Sequence, residues 1–250
     1  MSDGRAPAIG NRGAAAALAI LDVIIPALDE EGNIAQVIAD LRESGVALRH
    51  IVVVDNGSRD RTAQVAREAG AVVVAEPQRG YGAACLRGLA HLAKQTPPPD
   101  AVVFIDGDRA DDGRRLPDLL QPLRAGADLV VGSRVRGALE PGALQPTQRL
   151  GNALAVTLLR ALYGQRLSDL GPFRVIRYPA LCALALRDRD YGWIIEMQVK
   201  AARVGLNVQE VPVPYRRRFS GRSKVSSTLR GTVGAGAKIL YTLLRHATVR

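Results

Sequence analysis

The chain has 250 residues, 47% of them hydrophobic, and its 34 Lys and Arg against 24 Asp and Glu give a formal charge of +10. This length and apolar fraction are ample for a sizeable core and exclude a chain that is disordered throughout. Cys85 and Cys182 lack metal-type spacing, which argues against a zinc site or a disulfide framework and favours a reducing compartment.

The positive charge is concentrated at the C-terminal end. Residues 214–250 carry +9 and contain no Asp or Glu, whereas residues 1–213 carry +1. An anionic partner is therefore expected for the C-terminal segment. On charge alone, nucleic acid, phospholipid and phosphorylated substrates are all open.

In chain order, the first half alternates apolar, β-branched runs with helical patterns. Strands are predicted at residues 22–26, 51–55, 71–76, 101–106 and 128–132. Helices are predicted between them, at residues 33–44, 60–69, 80–94 and 114–124. Strands of near-continuous apolar residues that alternate with helices indicate an α/β fold, in which a parallel sheet is covered on both faces.

Beyond Arg134 the pattern changes. A helix with few polar residues, a strand, a helix and a strand are predicted at residues 148–163, 173–177, 193–204 and 207–213. The apolar run at residues 14–25 is shorter than a membrane-spanning helix needs. Because it ends in β-branched residues before Pro26, we interpret its second half as a buried strand rather than as part of a signal peptide.

Three predicted strands end in acidic residues. These are Asp29 and Glu30, Asp55, and the pair Asp106 and Asp108. In an open α/β sheet, ligands bind outside the carboxyl ends of the strands. Each acid taken alone could simply cap the helix that follows it. Three acidic ends at one edge of the sheet favour a binding site.

The sequence Asp106-Gly107-Asp108 directly follows a buried apolar strand. Mg²⁺ or Mn²⁺ is typically held by one or two carboxylates, with substrate phosphates and water completing the coordination. The two aspartates therefore predict a divalent metal site. Asp111 and Asp112 add negative potential there or are solvated loop charges.

Gly80 and Gly82 follow the third strand and open a helix. Glycines allow close backbone approach, and a helix N-terminus favours a phosphate or another polar ligand. The alternative is a plain tight turn between strand and helix. A dinucleotide fingerprint is excluded, because the glycines follow the third strand and have a different spacing.

Taken together, these segments resemble the family 2 glycosyltransferases of the GT-A fold, in particular the dolichyl- and polyprenyl-phosphate mannose and glucose synthases. The matching motifs, in family order, are VIIPALDEEGNI, VVVDNGSRDRT, RGYGAACLRG, FIDGD, VVGSR, SDLGPFR, GWIIEMQVKAA and RRRFSGRSK. The resemblance implies a GT-A (Rossmann-like), mostly parallel sheet with helices on both faces. It divides the chain into a flexible leader (1–19), a glycosyltransferase domain (20–215) and a basic C-terminal extension with an amphipathic helix (216–250).

The implied activity is an inverting, metal-dependent hexosyltransferase that uses Mg²⁺ or Mn²⁺. It would move a hexose from a nucleotide-sugar of the GDP-mannose or UDP-glucose type to a polyprenyl or dolichyl phosphate. The alternative is a family 2 enzyme that acts on a hydroxyl of a cell-envelope glycan or a small molecule.

The resemblance also implies roles for individual residues. Those expected to bind the nucleotide-sugar are Pro26, Ala27, Asp29, Glu30, Asp55, Gly82 and Asp106. Asp106 and Asp108 would bind the metal on the diphosphate. Ala110 stands where these synthases often have Gln, so a third metal ligand is missing or lies elsewhere.

On the acceptor side, Asp169 matches a position that faces the acceptor and the donor sugar, although it could also cap the turn that follows it. Arg134, Arg218 and Lys224 match phosphate-binding basic residues; the last two could alternatively belong to a solvated basic face. A lipid phosphate is already nucleophilic and needs no base, whereas a hydroxyl acceptor would make Asp169 the candidate general base. Glu196 either orients a neighbouring Arg or faces solvent.

Two segments suggest contact with a membrane. From Leu229 onward, a stripe of apolar residues lies beside cations, as in helices that lie on anionic membrane surfaces, although docking onto the protein body is the alternative. The helix at residues 148–163 contacts a lipid acceptor or belongs to the core. We expect a cytoplasmic enzyme, peripheral on the cytoplasmic face of the membrane. Nucleic acid is disfavoured, since that function needs neither Asp106 nor Asp108, and homodimerisation is open.

Overall fold

A computed structural model of the chain describes residues 18–218. The strands are β1 (Leu21–Ala27), β2 (His50–Asp55), β3 (Val72–Ala75), β4 (Ala101–Phe104), β5 (Leu129–Ser133), β6 (Arg174–Arg177) and β7 (Val208–Pro212). The helices are α1 (Ile34–Glu43), α2 (Thr62–Glu68), α3 (Tyr81–Leu92), α4 (Leu116–Arg124), α5 (Pro146–Tyr163), α6 (Tyr178–Leu184) and α7 (Trp193–Arg203). A 3₁₀ turn at Gly113–Arg115 precedes α4. Every strand and helix that the sequence predicted within these residues is present.

The seven strands form one sheet in the order β3-β2-β1-β4-β6-β5-β7. Strands β1 to β4 run parallel to one another, and β7 runs parallel to β5. Strand β6 is antiparallel to both of its neighbours, β4 and β5. The prediction of a mostly parallel sheet is confirmed. Because β1, β2 and β4 are parallel, the loops that leave their carboxyl ends meet at one edge.

Helices cover both faces of the sheet, as predicted. On one face, α1 and α4 pack their buried leucine and isoleucine side chains against Val23 and Ile25 of β1. On the other face, Ile24 of β1 packs among residues of α3, α6 and α7. Trp193 at the start of α7 lies 4.9 Å from the Phe104 ring of β4, measured between ring centroids. Alternate residues of each strand thus fill opposite halves of the core.

Helix α5 lies outside these two layers and has its own small apolar cluster with α7. Pro146 stands in its first turn, and the Gln148 side chain accepts a hydrogen bond from the Gln145 backbone N–H (2.9 Å). Gly164, at φ 69°, ends it in the left-handed conformation that glycine adopts readily. Among residues 18–218, no helix combines the length and the apolarity needed to cross a membrane. Nearly all of the predicted leader, and the C-terminal amphipathic helix, lie outside the described residues.

Candidate active site

The loops after β1 and β2 are tied together at the carboxyl edge of the sheet. The Asp29 backbone N–H donates to the Ser58 hydroxyl (3.0 Å), and its carboxylate accepts from the Arg59 N–H (2.7 Å). Asp55 in turn accepts from the Ser58 N–H (3.1 Å). Asp29 has a φ of 51°, in the left-handed region that non-glycine residues rarely adopt. The predicted donor-site acids Asp29 and Asp55 therefore lie in one interlocked pair of loops.

Glu30 is buried beside these loops and is shared by two donors. Asn33 donates to its Oε2 (2.6 Å), and Arg218 donates to its Oε1 (2.5 Å). Burial raises the pKa of Glu30 above its ordinary value, and the positive charge of Arg218 opposes that rise. Glu30 is thus more than a helix cap, because it connects the β1 loop with the end of the described chain.

The Asp106 and Asp108 side chains lie just beyond β4. Oδ1 of Asp106 is buried and has no hydrogen-bond partner among residues 18–218. Asp108 is buried, and its Oδ2 lies 2.8 Å from Nη2 of Arg218. Burial and the nearby charge of Asp108 raise the pKa of Asp106 to about 7, while Arg218 and Arg134 oppose that rise.

This pair of carboxylates fits a divalent cation. An unpartnered, buried carboxylate oxygen beside a second carboxylate is the donor chemistry that Mg²⁺ and Mn²⁺ prefer. Within the described part of the chain, no group of three or more His, Cys, Asp or Glu could hold a metal ion. Two carboxylates with substrate oxygens completing the coordination fit this arrangement better than a site built from protein ligands alone.

Asp111 and Asp112 are buried, contrary to the interpretation of solvated loop charges. They are 2% and 6% exposed, respectively. Asp112 pairs with Arg114 (2.8 Å) and with Arg216. Both carboxylate oxygens of Asp111 are buried without a hydrogen-bond partner among the described residues, and burial, with the charge of Asp106, raises its pKa well above its ordinary value. Of the two alternatives that the sequence left open, the burial of Asp111 favours added negative potential at this site.

Asp169 and Arg134 form a buried, bidentate ion pair. Asp169 Oδ2 accepts from the backbone N–H and from Nε of Arg134 (2.7 and 2.8 Å), and Oδ1 accepts from Nη2 (2.7 Å). Oδ1 also accepts from the Leu170 N–H (2.8 Å). Although burial opposes it, this pairing raises the pKa of Arg134 above its ordinary value. The Arg134 guanidinium lies over the Tyr215 ring, 5.1 Å from its centroid. Both oxygens of Asp169 are thus committed to orienting Arg134.

Glu210 on β7 fixes the turn that carries Asp169, a role that the sequence did not indicate. Its carboxylate accepts from the backbone N–H groups of Ser168 (2.9 Å) and Asp169 (3.0 Å). From α5, Asn152 Oδ1 accepts from the Leu170 N–H (3.0 Å). The position of Asp169 is therefore set by a strand and a helix on opposite sides of the turn.

Gly80 and Gly82 are required by a close backbone approach. A Cβ atom on Gly82 would lie 2.1 Å from the Asp188 carbonyl oxygen, and one on Gly80 would lie 2.2 Å from that of Arg189. Glu196 holds this approaching loop, since its carboxylate accepts from the N–H groups of residues 187 and 188. Glu196 is buried and also pairs with the Lys200 side chain, so it neither faces solvent nor orients an arginine side chain.

Arg218 bridges the two predicted halves of the donor site. Its guanidinium contacts Glu30 through Nη1 and Asp108 through Nη2. The structure therefore places Arg218 against one acid predicted to bind the metal and one predicted to bind the donor. Lys224 lies outside the described residues. Pro26 and Ala27, at the end of β1, pair with Val54 and Asp55 of β2, so their backbone forms the edge from which the donor loops leave.

The sequence model of the family described as glycosyl transferase family 2 matches residues 22–184 of the chain. The chain belongs to this family. A glycosyltransferase of Mycobacterium tuberculosis, described as uncharacterized, is 40% identical over 213 residues, which span 84% of this chain and 92% of that protein. The dolichyl-phosphate hexose transferase of Haloferax volcanii is 31% identical over 227 residues, or 90% and 95% of the two chains. The undecaprenyl-phosphate mannosyltransferase of Micrococcus luteus is 30% identical over 222 residues, or 83% and 88%.

A solved structure of a related enzyme shows the same fold. The glucosyl-3-phosphoglycerate synthase of Mycobacterium tuberculosis, in complex with Mn²⁺, UDP-glucose and phosphoglyceric acid, is similar with a TM-score of 0.73 and 27% identity. The alignment covers 92% of this chain and 80% of the synthase. The GT-A fold and the assignment as a family 2 hexosyltransferase are confirmed. The named relatives use different acceptors, two of them lipid phosphates and one phosphoglyceric acid.

Proposed function

We propose that this family 2 glycosyltransferase moves a hexose from a nucleotide-sugar to a polyprenyl or dolichyl phosphate, with inversion at the anomeric carbon. One observation carries the choice of acceptor, namely that Asp169 is fully buried and accepts four N–H donors, three of them from Arg134. A carboxylate so engaged is a poor general base, whereas the arginine that it orients is a good ligand for phosphate. A phosphate acceptor, which needs no deprotonation, suits that arrangement.

On the donor side, the interlocked loops of Asp29 and Asp55, with Pro26, Ala27 and Glu30, hold the base and ribose. We place the loop that packs on Gly82 at the border of the same site. Asp106 and Asp108 would hold Mg²⁺ or Mn²⁺. When bound, this cation neutralises the charge that develops on the departing nucleoside diphosphate. Arg218, which already contacts both Glu30 and Asp108, adds a second positive charge at that position.

On the acceptor side, Arg134 holds the lipid phosphate. Its Nε and Nη2 atoms are committed to Asp169, which leaves the two N–H groups of Nη1 for a phosphate oxygen. Lys224 and the basic C-terminal extension bring further positive charge to the lipid phosphate and to the cytoplasmic face of the membrane. One phosphate oxygen then attacks the anomeric carbon, and the bond from that carbon to the diphosphate oxygen breaks.

The test is a panel of GDP-mannose and UDP-glucose type donors with polyprenyl phosphate, in the presence of Mg²⁺ or Mn²⁺. We expect release of nucleoside diphosphate together with a glycosylated lipid phosphate identified by mass. A panel of hydroxyl acceptors, including phosphoglyceric acid, is run in parallel, because the glucosyl-3-phosphoglycerate synthase was solved with that compound. Turnover with a hydroxyl acceptor alone would replace the proposal by that second function.

A further inference from the structure

Within residues 18–218, helix α5 has an exposed face that carries apolar side chains and no packing partner. The described chain has five exposed large hydrophobic residues, and three of them lie on this helix: Leu150, Leu154 and Leu162. Leu150 is 73% exposed, more than any of the others. Exposed apolar side chains concentrated on one helix indicate an interaction surface, whereas isolated ones do not.

Leu150 and Leu154 form a stripe with two smaller exposed residues, and Leu162 lies about 120° from Leu150, outside that stripe. At about 100° per residue, Leu150, Leu154, Thr157 and Ala161 fall within an arc of about 60°. The opposite side of the helix is buried, since Ala155 and Leu159 pack with residues of α7. Helix α5 is therefore bound to the protein by one side only, and the stripe points directly away from the body.

The charges beside the stripe favour one kind of partner. Helix α5 contains no Asp or Glu, and its two arginines, Arg149 and Arg160, are exposed. Eleven residues apart, they lie within about 20° of each other on one flank of the stripe. An apolar stripe flanked by arginines suits an anionic lipid surface. A second copy of this helix would instead bring cations together without acids to pair them.

The inner side of α5 is connected to the acceptor site. The Asn152 side chain accepts a hydrogen bond from the Leu170 N–H and donates one to the Ser168 carbonyl oxygen. It therefore supports the turn that carries Asp169. Just before the helix, Leu144 packs with Tyr215, the ring under Arg134. A surface bound to the outer stripe of α5 therefore lies next to the residues that would receive a lipid phosphate.

We propose that α5 is a membrane-docking helix, which inserts Leu150 and Leu154 into an anionic bilayer and places Arg134 at the level of the lipid phosphates. This inference rests on the proposed lipid-phosphate acceptor. It assigns to a described helix a contact that sequence analysis attributed mainly to the C-terminal extension.

The experiment measures sedimentation of the full-length protein with phosphatidylglycerol-containing vesicles and with pure phosphatidylcholine vesicles. Leu154→Glu is compared with the matched control Val204→Glu, because the two positions are 47% and 45% exposed and Val204 follows α7 rather than lying on the stripe of α5. We expect Leu154→Glu to lower partitioning onto anionic vesicles about tenfold, and Val204→Glu to leave it unchanged. Replacing both Arg149 and Arg160 by Gln should reduce the preference for anionic vesicles.

Three results would overturn the proposal. Equal binding by the two glutamate variants would place the membrane contact elsewhere, for example in residues 219–250. A change from dimer to monomer in Leu154→Glu, with vesicle binding intact, would make the stripe an interface between two copies. A loss of thermal stability as large as that of a core substitution would mean that the stripe is covered within the chain.

Failure of the docking proposal and failure of the proposed function give different results. With a short-chain, water-soluble polyprenyl phosphate, the double variant Leu150→Glu/Leu154→Glu should turn over like the wild type. With a long-chain acceptor in vesicles, its turnover should fall in parallel with vesicle binding. If the wild type glycosylates neither acceptor, the proposed function fails, while the sedimentation assay still decides on docking.

Discussion

The buried pair of Asp169 and Arg134 allows the acceptor site to be tested against a matched pair elsewhere in the fold. Asp169→Asn preserves the shape of the side chain but removes its charge and directs an amide N–H group towards the guanidinium. The control is Asp22→Asn at the start of β1. Asp22 is also fully buried, and it accepts from Arg49 at 3.1 and 2.5 Å and from the His50 N–H at 3.1 Å.

The two substitutions should cost similar amounts of stability. Breaking a buried ion pair by removing one partner typically costs about 3–5 kcal/mol, because it leaves a buried charge without compensation. For a chain of this size, about 1 kcal/mol corresponds to a shift of roughly 2–4 °C in Tm, so each variant should melt about 6–20 °C lower. The shift should be somewhat smaller for Asp22→Asn, since the Arg49 side chain is 22% exposed and that of Arg134 is 13% exposed.

The kinetic effects of the two substitutions should differ. In Asp169→Asn, Arg134 loses its orientation, and a charge-assisted contact worth about 1.5–3 kcal/mol corresponds to a rise of roughly 10- to 150-fold in KM for the lipid phosphate. KM for the nucleotide-sugar should be unchanged, and Asp22→Asn should leave both constants unchanged. Steady-state kinetics with each substrate varied in turn measures this difference.

Two outcomes would refute this reasoning. If Asp169→Asn leaves KM for the acceptor unchanged and abolishes kcat with a basic limb missing from the pH profile, Asp169 is a general base and the acceptor is a hydroxyl. If Asp22→Asn impairs acceptor use as strongly as Asp169→Asn, the effect comes from lost stability and not from the orientation of Arg134.

Three further predictions address the metal site, Gly82 and Arg218. Asp106→Asn and Asp108→Asn should each abolish nucleotide-sugar turnover and weaken Mn²⁺ binding in calorimetry, whereas full wild-type activity in metal-free buffer would contradict the assignment. Gly82→Ala should destabilise the protein by about 1–3 kcal/mol in urea unfolding, because the added Cβ would lie 2.1 Å from a backbone carbonyl oxygen. The control is Gly151→Ala, whose added Cβ has no atom within 4 Å and which should be neutral or stabilising. Arg218→Gln should raise the Mn²⁺ affinity of the donor-free protein at least about threefold, because it removes a cation from beside Asp108. A loss of Mn²⁺ affinity would show instead that Arg218 supports metal binding.

The layered fold was predictable because most of its strands, all but β3 and β7, consist largely of buried residues. A strand such as β4 is apolar at every position, so its location is evident without knowing its neighbours. The same pattern does not predict the direction of β6, because buried apolar residues occur in parallel and in antiparallel strands alike. Helix α6 was missed because it has only seven residues and follows β6 without an intervening turn.

The donor-side acids were predictable from their positions at strand ends, but their partners were not. Glu210 accepts from Ser168, which is 42 residues away in the chain, and Asp111 is buried in part because Tyr215 forms an isolated bridge with it. No local pattern marks either contact. Glu196 shows the same limit in part. Its pairing with Lys200, one helical turn later, is local, but the backbone N–H groups that it accepts from belong to a loop eight and nine residues earlier.

The structure also changes how the basic C-terminal segment is interpreted. Three consecutive arginines begin it, and each contacts an acid of the domain: Arg216 with Asp112, Arg217 with Glu140, and Arg218 with Glu30 and Asp108. These first charges are therefore neutralised within the protein, and the positive charge available to an anionic partner comes from the cations that follow. In the proposed function, a metal ion at Asp108 would share that carboxylate with Arg218, so both cations would face the diphosphate.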